Sequence, residues 1–177
     1  MFTGIVEELG RFVDRDGDRY RFGEAEAEVI FVPGHTIGHC AYAFREQRAL
    51  FCGDTLFALG CGKMFEGTPQ QFWTSLERLR ALPDEMRVYC AHEYTQSNAR
   101  FAVTIETDNQ QLMARSASVN AARARGEATV PSLLGEEKQT NPFLRADKPS
   151  VQMAVGMPGG NPIQVFAEVR HRKDVFR

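Results

Sequence analysis

The chain has 177 residues, 43% of them hydrophobic and 25% charged, with a formal net charge of −2. A chain of that length builds one core with an appendage, not two large cores. Its near-neutral balance supplies no broad basic field for nucleic acid or anionic lipid, so function is sought in a pocket and any electropositive site is local.

The opening residues carry charges throughout and contain no apolar stretch of signal-peptide length. Nowhere do about 18 apolar residues run together, so a soluble protein that is not exported is expected. Cys40, Cys52, Cys61 and Cys90 form no CxxC pair. A chain this long does not depend on disulfides, which points to reduced thiols and a cytoplasmic setting.

In chain order, the acidic stretch Asp14-Arg15-Asp16-Gly17-Asp18 predicts a hairpin turn ahead of a strand at Tyr20–Phe22. Short apolar runs then predict strands at Val29–Val32, Cys40–Phe44 and Ala49–Cys52, stopped by Pro33-Gly34 and Gly53-Asp54. Thr68 followed by Pro69 reads as an N-cap with proline at the first helical position. Phe72, Leu76, Leu79 and Leu82 then recur at helical spacing until Pro83, and a strand follows at Val88–Ala91. After Glu93 strand-like runs vanish and capped helices take over. Asp108 with Gln111 forms a capping pair, Gly126 stops the helix it opens, and a last helix begins at Asn161-Pro162. With no repeat and no low-complexity linker, the two halves are expected to pack directly on one another.

The chain has four histidines, His35, His39, His92 and His171. Two lie in Gly34-His35-Thr36-Ile37-Gly38-His39 after a predicted strand, a third lies at the end of another in Cys90-Ala91-His92-Glu93-Tyr94, and Asp54 ends a third in Phe51-Cys52-Gly53-Asp54-Thr55. Imidazoles and a carboxylate at strand ends suit zinc or iron, which accept nitrogen and oxygen ligands while leaving positions open for water.

The segments PGHTIGH, FCGDTLF and CAHEYT, in this order, resemble the second half of the metallo-β-lactamase signature. FCGDTLFALGCGKMFEGT, TNPFLR and the closing RHRKD resemble glyoxalase II, the hydroxyacylglutathione hydrolases, in particular. The resemblance covers nearly the whole chain. It implies an α/β fold: a partial metallo-β-lactamase αββα sandwich over residues 1–93, then an α-helical glutathione-binding domain over 94–177. By it His35, Asp54 and His92 correspond to metal ligands, with Asp54 the catalytic bridging carboxylate, whereas His39 is structural. Lys63, Tyr94, Arg170 and Lys173 correspond to groups that hold glutathione, and Phe65 stands where many relatives place a tyrosine.

The implied reaction is metal-dependent hydrolysis of S-(2-hydroxyacyl)glutathione, typically S-D-lactoylglutathione, to glutathione and D-lactate, as in methylglyoxal detoxification. Two zinc ions would serve a complete site, with iron or manganese as alternatives, in a cytoplasmic monomer without nucleic-acid or membrane partners. No serine or cysteine nucleophile is needed. The family's THxHxDH motif has no counterpart, and no HxH or DH pair occurs in the sequence. The expectation is therefore a piece of a longer protein, with three candidate ligands, weak or no activity, and an exposed apolar sheet face or edge. A glutathione persulfide dioxygenase-like enzyme and a non-catalytic glutathione-binding remnant are the rival readings.

Overall fold

The computed structural model of the chain describes residues 16–176, so Asp14 and Arg15 of the predicted turn lie outside it. Its framework is a six-stranded sheet of β1 (Arg19–Phe22), β2 (Ala25–Phe31), β3 (Cys40–Phe44), β4 (Ala49–Gly53), β7 (Arg87–Cys90) and β8 (Ser132–Leu133), in the order β1-β2-β3-β4-β7-β8. Neighbours pair antiparallel except β4 and β7, which are parallel. The crossover between them carries the short hairpin β5 (Leu56–Phe57) and β6 (Gly60–Cys61), then helix α1 (Pro69–Arg80). Beyond β7 come α2 (Thr95–Ile105), α3 (Gln110–Ala124), α4 (Leu134–Thr140), a 3-10 turn at Pro142–Leu144, α5 (Pro149–Ala154) and α6 (Pro162–Val175).

The strands predicted from apolar runs form, most with ends shifted by at most one residue, but the one expected at Val29–Val32 begins four residues earlier, at Ala25, where no apolar run marks it. Helix α1 opens on a complete capping box, with the Thr68 side chain taking the Gln71 N–H and the Gln71 side chain taking that of Thr68. Two expectations are corrected. The cap of α3 is Asn109, whose side chain accepts from the Leu112 N–H, and not Asp108. Both residue types suit the role, and spacing alone does not separate neighbours. Strand pairing also does not end with the first half, because Ser132–Leu133 extends the sheet against β7. A two-residue strand is too short to show a period.

One continuous core joins both halves. Ile30, Ala41, Leu50, Cys52 and Val88 of the sheet pack with Phe72, Leu76 and Leu79 of α1 and with Phe101, Phe143 and Phe166 of the helical half. Phe51, between the inward-facing Leu50 and Cys52, stands on the opposite face of the sheet, where it meets Phe44 edge-on and stacks on Tyr89. Phe22 and Phe51 are exposed there.

The cap assignment has a direct check by urea denaturation. Asn109→Ala should lower stability by about 0.5–2 kcal/mol, since it leaves the Leu112 N–H without its acceptor, whereas Asp108→Ala should stay within about 0.5 kcal/mol.

Candidate metal and substrate site

Sheet topology collects the chemistry at one end. Strands β2, β4 and β7 run in the same direction, so the loops after them, and the loop that enters antiparallel β3, open at the same edge. His35 and His39 lie in the β2–β3 loop, Asp54 directly follows β4 and His92 follows β7. The parallel pairing of β4 with β7 makes the last two neighbours, and the Ala91 N–H donates to the Gly53 carbonyl.

Asp54 is the point of convergence. His35 Nε2 lies 3.8 Å from its Oδ2 and His92 Nε2 lies 3.2 Å from its Oδ1. The Nδ1 of His35 is 2.7 Å from the Lys63 carbonyl. A carbonyl only accepts, so Nδ1 carries the proton, and in the neutral ring Nε2 presents a lone pair toward the carboxylate. A backbone carbonyl on the far nitrogen is the usual way a ligating imidazole is oriented. His92 is set by its neighbours: its ring stacks on Tyr94 at 4.9 Å and meets Phe57 edge-on. Two imidazoles and a carboxylate are a donor set that a divalent transition metal accepts. The gathering is pairwise around Asp54, however. Among the described residues no three His, Cys, Asp or Glu side chains close into a ready-made cage.

The two histidines of the β2–β3 loop have different partners. His39 Nε2 accepts the backbone N–H of Asp54 at 3.0 Å, so its lone pair is used. Burial, and then the neighbouring His35, hold its pKa below the ordinary histidine range, which keeps it neutral. Gly53 makes the contact feasible: its φ is +51°, and a Cβ there would lie 2.7 Å from His39 Nε2. Gly62 serves the opposite wall, since a Cβ there would lie 1.9 Å from the Asp54 carbonyl oxygen and 3.3 Å from His35 Nδ1. Only glycine lets the 61–63 segment come close enough for the Lys63 carbonyl to reach His35.

The basic and aromatic groups lie around this centre. Lys63, Phe65 and Tyr94 are exposed; Phe65 meets His35 edge-on at 5.1 Å, and Lys63 sits over the Phe65 ring. Arg170 is buried, with one guanidinium nitrogen on the Cys61 carbonyl and another on Asp174. It thus reaches the base of the Lys63 loop from α6. One turn on, Lys173 Nζ donates to the Ser97 carbonyl at 3.2 Å, in the first turn of the helix that starts beside Tyr94. Burial and the nearby Arg170 push its ammonium down to about 8. Cys52 and Cys61 are enclosed, and burial raises both thiols, Cys61 to about 11, away from the reactive thiolate.

Sequence reasoning did not single out Glu137, Asn141 and Asn98, which grip the β5–β6 hairpin next to the site. TNPFLR contains one of them, but no spacing rule connects positions about 80 residues apart, as Asn141 and Gly60 are.

These contacts give a clean contrast between two glycines. Gly62→Ala should destabilise the fold by about 1–3 kcal/mol or more, because the new methyl meets backbone that cannot yield. Gly38→Ala, facing open space, should stay within about 0.5 kcal/mol in the same thermal melts.

Comparison with known proteins supplies the lineage. The family model described as "Metallo-beta-lactamase superfamily" matches residues 3–92, and "Hydroxyacylglutathione hydrolase C-terminus" matches 93–176. The chain is 60% identical to "Hydroxyacylglutathione hydrolase" of Methylococcus capsulatus over 92% of its own length and 64% of that protein's. It is 54% identical to the protein of the same name from Trichodesmium erythraeum, covering 98% of this chain and 70% of that one. It therefore spans less than two thirds of the Methylococcus relative. Among solved structures, "ETHE1 from Myxococcus xanthus" matches 93% of this chain and 53% of its own, with a TM-score of 0.58 at 24% identity, a likeness of fold alone. "TTHA1623 in a di-iron-bound form" matches 77% and 50%, with a TM-score of 0.51 at 27% identity. The chain belongs to the hydroxyacylglutathione hydrolase family of the metallo-β-lactamase superfamily.

Proposed function

We propose that residues 1–93 carry the metal centre, and residues 94–177 the helical glutathione-binding part, of a cytoplasmic hydrolase. Its reaction is cleavage of S-(2-hydroxyacyl)glutathione, with S-D-lactoylglutathione the type substrate, to glutathione and a 2-hydroxy acid. The observation that carries this reading is the convergence of His35 and His92 on the two oxygens of Asp54, in a chain whose relatives at 54% and 60% identity bear the hydrolase name.

Membership of the superfamily implies a metal. His35, Asp54 and His92 are the residues proposed to hold it, with zinc first and iron or manganese as alternatives. The di-iron form of a solved relative supports keeping iron among them. Such an ion, when bound, brings water toward ionisation near neutral pH and polarises a thioester carbonyl.

The chain's own groups prepare the site. The Lys63 carbonyl turns the His35 lone pair inward, and His39 fixes the Asp54 backbone. Lys63, Tyr94 and Lys173 offer donors for the carboxylates and amides of a tripeptide thiol, while Arg170 supports the Lys63 loop and adds its field. These contacts lie away from the scissile bond, so they act alike on bound substrate and transition state.

Metal content and thioester turnover, measured together on the 177-residue chain, test the reading. Asp54→Ala should remove the bound ion and any turnover. His39→Ala should keep the ion, because that nitrogen is already committed to a backbone N–H. Equal metal loss in both variants would overturn the ligand assignment, and tight glutathione binding without metal or turnover would favour a binding module instead.

The lowered ammonium of Lys173 gives a pH signature. Below about 8 the lysine is charged and holds a carboxylate; as pH rises through about 8 it loses its proton and the contact. Glutathione affinity should therefore weaken across that interval in the parent chain and stay nearly flat there in Lys173→Gln, by isothermal titration at constant ionic strength.

A further inference from the structure

The segment from Asp54 to Lys63 is a short hairpin whose turn, at residues 58 and 59, leans into the helical half. There its backbone groups meet side chains and not other backbone. The Leu59 N–H donates to Glu137 Oε2 at 2.9 Å. The Asn141 amide nitrogen lies 3.2 Å from the Phe57 carbonyl and 2.9 Å from that of Gly60, and the Asn98 amide donates to the Ala58 carbonyl at 3.1 Å. Leu59 is fully buried between α2 and α3 at a φ of +58°, a conformation a leucine does not choose unaided. Glu137 and Asn141 are completely buried and Asn98 nearly so; Glu137 is held in turn by Arg115 and Asn141.

We propose that Glu137, Asn141 and Asn98 are positioning residues for the metal and substrate site, acting through this hairpin on Asp54 at one end and Lys63 at the other. The proposal rests on the reading of those two residues given above. The hydrogen bonds that these three side chains make to the hairpin all end on its backbone. What they set is the backbone of residues 57–60, and the hairpin is too short to absorb a shift. Its far side is already in contact, with the Gly62 N–H directed at the Thr55 carbonyl and Gly62 against the Asp54 carbonyl. A displaced hairpin therefore moves the Lys63 carbonyl off His35 and disturbs the approach of His35 to Asp54.

Isosteric substitutions separate positioning from bulk stability. Asn141→Asp keeps the oxygen that accepts from the Phe143 N–H but turns the donor facing both the hairpin and Glu137 into an acceptor, so it also costs stability. Asn98→Asp does the same at the Ala58 carbonyl and is the milder variant, read alone if Asn141→Asp does not fold. On the 177-residue chain the readouts are amide hydrogen exchange, cobalt(II) titration followed by visible absorption, and glutathione titration by calorimetry.

The expected result is faster exchange over residues 57–62, with β2, β3 and α6 unchanged. Cobalt affinity should fall by roughly 10- to 100-fold with an altered ligand-field spectrum, the scale seen when the support of a metal ligand is removed. Faster hairpin exchange with cobalt affinity, spectrum and glutathione affinity all retained overturns the proposal and leaves a structural brace. Unchanged hairpin exchange overturns the brace as well. A parent chain that takes up no cobalt sinks the metal reading separately, and the proposal is then decided by glutathione affinity, which must fall in the variants. Binding of neither probe by the parent overturns both.

Discussion

Glu137 is completely enclosed, and an enclosed carboxylate is tolerated only when its oxygens are paired. Here Arg115 of α3 neutralises it, Asn141 donates to it, and its remaining capacity is spent on the Leu59 N–H of a hairpin in the other half of the chain. Removing one partner of a buried ion pair costs about 3–5 kcal/mol, several times an exposed pair. Helices α3 and α4 and the β5–β6 hairpin are therefore bound into one unit, and the loops that follow β4 inherit their position from it.

The sheet supplies the other half of the geometry. A parallel β4–β7 pair requires a long crossover, and that crossover is what places the hairpin and the Lys63 loop beside Asp54. Its return strand brings His92 to the same edge, the usual place for a ligand at the carboxyl ends of parallel strands. The loop after β7 is tied down as well: Glu93 accepts from the Thr129 N–H at 2.9 Å and pairs with Arg123 of α3. The loop after β7 thus ends on α3, the helix whose Arg115 stands behind Glu137 and so behind the loop after β4.

Charge is used sparingly inside this frame. His39 is kept neutral and accepts a backbone hydrogen bond, while His35 is turned by a carbonyl so that its other nitrogen is available. Arg170 is buried on a carbonyl, over the Phe143 ring and beside Asp174, and Lys173 lies against Phe101 and Phe176. Two cations so close on one helix face repel one another. Together with burial, that repulsion is why the lysine holds its proton less firmly than an exposed one.

Much of this was readable along the chain. Apolar runs bounded by Pro-Gly and Gly-Asp marked strands because a backbone stops pairing where φ must turn positive, as it does at Gly53. Thr68-Pro69 and Asn161-Pro162 marked helix starts because capping is local chemistry. The division of labour between His35 and His39 was available only as a resemblance. The structure gives the two rings different partners, a carbonyl for one and an N–H for the other. What only the tertiary structure decided is the network of Glu137, Asn141 and Asn98, the burial of Arg170, and the pairing of Ser132–Leu133 with β7. Each depends on partners tens of residues away, and neither the helical nor the strand period carries information across such a gap.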